Sequence, residues 1–211
     1  MERNTFAMKI LEGRTFEFRQ MTGRKWKELT DLLDEKTAEN FSMWQIENIV
    51  FVYYETADDD KILGRRLKEL LEDENGYFSW ISDPTQKMRL MYRDLGVIRK
   101  SKEMIRHRVF VTKLKEGCEE EYRKRHKALE DERGSKQNPG PDSNFTIWYA
   151  DGYIMGYDEI DTSMERDETE EDREKSVEWE TKMLEIMDWL TDDVDSITGL
   201  HHNHVVRIAY H

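Results

Sequence analysis

The chain has a single cysteine in 211 residues, Cys118, so no intrachain disulfide can form and a reducing, cytoplasmic setting is the expectation. It also lacks any apolar run near the roughly 18 residues that a bilayer span requires. Its opening stretch, MERNTFAMKILEG, has no apolar segment of the signal-peptide kind. Neither a membrane-spanning nor a secreted protein is expected. Positive charge is scarce: 33 Lys and Arg stand against 46 Asp and Glu, a net charge of −13. Nucleic-acid binding rests on basic side chains that neutralise phosphates, and anionic membranes make the same demand, so both classes of partner are disfavoured. More than half of the acidic excess lies between Asp158 and Lys175, where ten acids face three bases. A block of like charge repels itself and stays solvated, which suits a loop or a frayed helix start.

What is present suffices for a core. With 37% hydrophobic and 11% aromatic residues the chain can bury enough apolar surface to fold alone. It also repeats itself. Displaced by 104 positions, Phe6 and Lys9 fall on Phe110 and Lys113, Glu12-Gly13 on Glu116-Gly117, and Phe18-Arg19 on Tyr122-Arg123. The same displacement sets Asn40, Phe41 and Trp44 on Asn144, Phe145 and Trp148, then Tyr53 on Tyr157 and Glu55 on Glu159. An ungapped register over some fifty residues is the mark of a tandem duplication, with repeats at 1–104 and 105–211.

Each repeat shows the same order of elements. Thr5–Leu11 and Arg108–Leu114 have strand composition, and each is followed after a glycine by a long charged helix, which Gly134 closes in the second repeat. FSMWQIENIVFVYYET and FTIWYADGYIMGYDEI are hairpins turning at Glu47-Asn48 and Asp151-Gly152, the latter a favoured type I′ pair. Helical patterns return in KILGRRLKELLEDE and PTQKMRLMYRDL of the first repeat and in REKSVEWETKMLEIMDWL of the second, where HVVRIAY supplies a last strand. SKEMIRH leaves too little room for the last strand of the first repeat. The order βαββαβ defines the fold class: α+β, two ferredoxin-like repeats. A sheet with helices on one face needs its other face covered, so the repeats are expected to pack sheet-to-sheet as an intramolecular dimeric α/β-barrel, a pseudo-dimer able to exist as a monomer.

One helix carries the chemistry. In EEEYRKRHKALEDER, residues 119–133, eleven of fifteen side chains are charged. Yet Cys118, Tyr122, His126 and Leu129 follow the i, i+4, i+8, i+11 spacing of a narrow buried stripe. Tyr122 and His126 therefore share a core-facing side of the helix. The second repeat resembles the L-rhamnose mutarotases in its Y-x-x-x-H helix motif (Tyr122, His126), the strand Asn144–Asp151, the late Trp179 and the aromatic final strand Val205–Tyr210. The first repeat keeps another part of the same helix, W-x-E-L, as Trp26, Glu28 and Leu29, with Phe18 and Thr22 where Tyr122 and His126 stand. The resemblance implies that His126 is the general acid/base and that Tyr122, Phe145 and Trp179 line a sugar pocket. Phe145 replaces a family tyrosine, and Glu180 replaces the second member of a Trp-Trp pair.

Exchange of sugar anomers needs a proton delivered to the ring oxygen and one removed from the anomeric hydroxyl, work for an imidazole without metal or cofactor. The expected function is a monosaccharide mutarotase with its one working site in the second repeat. A non-catalytic sugar-binding or interaction protein, and another enzyme on the same barrel such as a monooxygenase-like or haem-degrading member, are the alternatives. Trp44 and Trp148 are expected in the core, and Trp80 is the expected counterpart of Trp179. His201, His202 and His204 form a histidine cluster without accompanying carboxylate or cysteine spacing, so no metal site is expected there.

Overall fold

The computed structural model describes residues 1–72, 75–190, 197 and 205–211. In chain order the elements are β1 (Glu2–Ile10), α1 (Thr15–Glu35), β2 (Glu39–Ile46), β3 (Ile49–Thr56), α2 (Lys61–Leu71), β4 (Phe78–Ser82) and β5 (Arg89–Asp94). There follow β6 (Ile105–Leu114), α3 (Glu119–Arg133), β7 (Asp142–Ala150), β8 (Tyr153–Asp161), α4 (Glu170–Leu184), β9 (Met187–Trp189) and β10 (Val206–Tyr210). They form two five-stranded sheets, ordered β10-β2-β3-β1-β4 and β5-β7-β8-β6-β9, with every pairing antiparallel. The inner order β2-β3-β1-β4, repeated as β7-β8-β6-β9, is the ferredoxin-like arrangement expected from the sequence. The two halves also agree residue for residue, since Phe6 faces Val52 in one and Phe110 faces Gly156 in the other.

Two segments differ from the sequence expectation. PTQKMRLMYRDL is not helical: Arg89–Asp94 within it is strand β5, and it pairs with β7 of the second sheet. The helix expected to run to Leu190 stops at Leu184, and Met187–Trp189 pairs with β6 as β9. The final strand β10 in turn pairs with β2 of the first sheet. Each half thus lends its last strand to the other half's sheet. The compact units are residues 1–88 with 205–211, and residues 89–204, where the sequence reading expected a division at 104/105.

In the first unit Val50, Val52 and Tyr54 of β3 join Phe6, Met8, Ile10, Phe18, Leu33 and Leu67 in the core against the helices. The opposite face of the strand is buried as well, since all eight residues of β3 are. The second unit packs Phe110, Leu114, Tyr122, Ile147, Ile154 and Met183 together. Several residues that made the repeat visible hold the scaffold. Glu159, fully buried, accepts hydrogen bonds from Tyr157 Oη (3.1 Å), Asn144 Nδ2 (3.1 Å) and Lys102 Nζ (2.5 Å). Glu55 likewise accepts from Tyr53 Oη at 2.6 Å and from Asn40 Nδ2 at 3.4 Å. Asn40 and Asn144 sit at φ +54° and +56°, each beside a register shift in its strand, where asparagine tolerates left-handed backbone. A buried carboxylate is costly unless it is hydrogen-bonded, and these partners meet that need in both halves. Trp44 and Trp148 are buried too, at 8% and 5% exposure. Trp80 faces Met8 and Trp189 faces Thr112, so the counterpart of Trp80 is Trp189 rather than Trp179.

Gly23 lies in the middle of the 21-residue α1, and a Cβ built on it meets no atom within 4 Å. Helix-interior glycine costs roughly 0.5–1 kcal/mol relative to alanine, and no close approach here offsets it. Gly23→Ala is therefore expected to raise stability by about that amount, seen as a higher urea midpoint with unchanged slope. No helix among the described residues is long and apolar enough to cross a membrane.

Candidate active site

Helix α3 is built to stand with one narrow side inward. Glu119, Glu120 and Glu121 occupy its first turn and Arg133 its last, complementing the helix dipole, and Glu121–Arg125 and Lys127–Asp131 are i, i+4 ion pairs on its outer face. Tyr122 and His126 are its buried residues, at 2% and 5% exposure, as the stripe predicts. His126 Nδ1 lies 3.0 Å from the carbonyl oxygen of Tyr122. A carbonyl only accepts, so Nδ1 carries the hydrogen and Nε2 presents its lone pair. The imidazole stacks on the Tyr122 ring (centroids 4.2 Å apart, 23° between planes) and meets Trp179 edge-on at 5.1 Å.

A third aromatic wall comes from a residue that sequence reasoning missed. Tyr92 of β5 lies 5.2 Å from the imidazole and 5.6 Å from Phe145. Arg133 fixes it, with Nη1 donating to Tyr92 Oη at 3.2 Å and pairing with Asp94 at 2.5 Å. Arg123 Nη1 donates to the carbonyls of Leu90 and Met91, both at 3.1 Å, so two arginines of α3 hold this strand in place. Tyr92 belongs to the first repeat by sequence and to the second unit by structure. Its visible signal was only an aromatic residue beside arginines.

The structure thus brings together four of the five sequence-derived residues: Tyr122, His126 and Trp179 in direct ring contact, and Phe145 behind Tyr92. Glu180 has a different surrounding. It is buried at 5% exposure, and its Oε1 accepts a hydrogen bond from Trp189 Nε1 at 2.7 Å. His201, His202 and His204 lie outside the described residues, among which no cluster of His, Cys, Asp and Glu is arranged to hold a metal.

Burial governs the electrostatics. Desolvation pushes the His126 pKa down to about 4, opposed by its hydrogen bond to the Tyr122 carbonyl and by the charge of Glu130. This differs from a group titrating near neutrality, which an exposed imidazole would do. Burial also raises the phenols of Tyr122 and Tyr92, so both stay protonated hydrogen-bond donors at physiological pH. A further titratable group, also missed, lies on the helix-facing side of β8, two residues beyond Gly156. Asp158 is 2% exposed, and burial together with the charge of Asp142 pushes its pKa up to about 7 against the opposing charge of Arg108. Tyr54 fills the matching position of the first half.

The described residues of the first half form no such arrangement at the position matching His126. Thr22 donates its hydroxyl back into its own helix, to the carbonyls of Phe18 and Arg19, and Phe18 is fully buried. In the exchanged strands Arg207 faces Trp44 as Leu90 faces Trp148, and Ala209 faces Met43 as Tyr92 faces Ile147. Ala209 therefore stands where the second unit has Tyr92.

The second unit is thus a ferredoxin-like layer with an aromatic-walled, neutral histidine on its first helix. Among known families, residues 107–204 match the model of L-rhamnose mutarotase, which bears out the resemblance drawn from Tyr122, His126 and Trp179. The match begins at β6 and leaves the first repeat outside it. No curated protein matches the chain. A solved structure from Fusobacterium nucleatum, described as a "Putative monooxygenase", is 7% identical over 88% of this chain and 87% of its own, with a TM-score of 0.45. A likeness of that degree bears on neither fold nor function here.

Proposed function

We propose that the second unit interconverts the α and β anomers of L-rhamnose or a related aldopyranose, with His126 as the proton carrier and no cofactor. The observation that supports this most is the imidazole itself: Nδ1–H is committed to the Tyr122 carbonyl, and Nε2 makes no hydrogen bond among the described residues. Nε2 takes the proton of the anomeric hydroxyl as the C1–O5 bond breaks, with its electron pair going to O5. The imidazolium returns that proton to O5, leaving the open-chain aldehyde. Rotation about C1–C2 and the reverse transfers close the ring on the other face. Tyr122 and Tyr92, held as neutral phenols, supply donors for sugar oxygens, and the face of Trp179 covers the apolar C–H side of a pyranose. Exchange NMR on L-rhamnose, L-fucose and other aldoses tests the reading. Anomer exchange that stays at the rate in water for every sugar would leave sugar binding without turnover as the function.

The low pKa of His126 makes a distinct forecast. Its base form persists above about pH 4, so kcat/KM should be flat through neutrality and fall only as the pH approaches 4. A midpoint near 6.5 would place the imidazole in water instead. Stability follows the same group. Between pH 6.5 and about 4 the unfolded chain binds this proton and the folded chain does not, so His126 lowers stability as the pH falls through that window.

A further inference from the structure

A cavity of about 360 Å³ opens in the first unit, lined by Arg19, Thr22, Gly23, Trp26 and the β10 residues Ile208, Ala209 and Tyr210. Three differences from the second unit surround it. Ala209 stands where Tyr92 fills space beside His126, and Gly23 stands where α3 has Lys127. The third concerns the arginine common to both helices. Arg123 reaches from α3 to the β5 carbonyls of Leu90 and Met91, whereas Arg19 turns its Nε to Gln45 Oε1 at 3.0 Å and makes no hydrogen bond to β10. Its terminal nitrogens have no carboxylate partner among the described residues, in a chain whose net charge is −13. Trp26 is half-buried, braced on Phe41 at 6.3 Å. Thr22 spends its hydrogen on the helix carbonyls and keeps lone pairs that can accept a hydroxyl.

We propose that this cavity binds a sugar acid, with the carboxylate on the Arg19 guanidinium, the C–H face of the ring on Trp26 and a hydroxyl donated to Thr22. A fork of free N–H donors matches a carboxylate, and an indole face matches a pyranose. The volume lies within the range of small-molecule sites. The lining residues include no histidine, carboxylate or cysteine, and binding alone is proposed. Gly23, which the helix carries at a cost and no packing contact explains, keeps the wall open. This site is independent of the mutarotase reading.

The test is calorimetry on the full chain with sodium D-glucuronate, with L-rhamnose and sodium acetate as comparators. Glucuronate should bind, more tightly than acetate. Arg19→Gln should weaken it about tenfold or more, the loss expected for a charge-assisted pair. Gly23→Leu should abolish binding by filling the cavity, and its unfolding midpoint reports that the fold is kept. His126→Asn should leave glucuronate binding unchanged. Absence of glucuronate binding at millimolar concentration, or binding that survives Arg19→Gln and Gly23→Leu, would overturn the proposal. So would glucuronate binding lost in His126→Asn, which would place the ligand in the second unit. L-rhamnose binding that falls as steeply in Arg19→Gln would overturn the assignment to an acid.

Discussion

His126→Asn should drop anomer exchange to nearly the rate in water, a loss of about 10²–10⁴-fold, the span that a positioned acid/base contributes. Asparagine can donate the same kind of hydrogen bond to the Tyr122 carbonyl but cannot carry a proton. The fold should persist, because the stack on Tyr122 is one contact within a core that also holds Phe110, Ile147, Ile154 and Met183. The acid limb of the pH profile should disappear with the imidazole. Thr22→Ala, at the matching position of the first half, should change the rate little, since that hydroxyl is tied to the carbonyls of Phe18 and Arg19. Retention of half the exchange rate in His126→Asn would mean that the first half carries an independent site.

The helix face that carries this prediction was legible in the sequence because helical periodicity is local. Tyr122 and His126 stand out from charged neighbours, and no distant contact is needed to see that they point inward. The repeat was legible for a related reason. Asn40 and Asn144 need a left-handed backbone, and Glu55 and Glu159 need buried hydrogen-bond donors, so both halves keep the same residues at the same spacing. Strand β5 was not legible. A register shift between Leu90 and Tyr92 places Met91 and Tyr92 side by side in the interior, at 1% and 7% exposure, and destroys the alternation that marks a strand. The partner of β5 is β7, more than fifty residues later, so the pairing that defines the strand lies outside any local window. Tyr92 was missed with it. The depressed pKa of His126 escaped for the same reason, because burial by Tyr92 and Trp179 is a property of the assembled unit.

Gly156 links that assembly to stability. It faces Phe110 across the β6–β8 pair, and a Cβ there would fall 2.1 Å from Cε1 and 2.3 Å from Cζ of the Phe110 ring. The first half has Val52 opposite Phe6, whose ring packs instead on Trp80 at 6.0 Å and on Tyr54 at 6.4 Å. In the second half Asp158 stands in place of that tyrosine, and the Phe110 ring occupies the space over Gly156. Gly156→Val, the residue of the first half, must therefore drive the ring away. Overpacking of a filled core costs about 1–3 kcal/mol, expected as a lower urea midpoint. The displacement should also reach the site, because Phe110 packs on Phe145 at 6.1 Å, Phe145 on Tyr92 at 5.6 Å, and Tyr92 on His126 at 5.2 Å. Under the mutarotase reading kcat/KM should fall even in solutions where the variant is fully folded. Combining Gly156→Val with Phe110→Ala should recover more stability than the two single changes would give by addition, since the clash is between these two side chains. Additive losses would show that the Phe110 ring does not occupy this space.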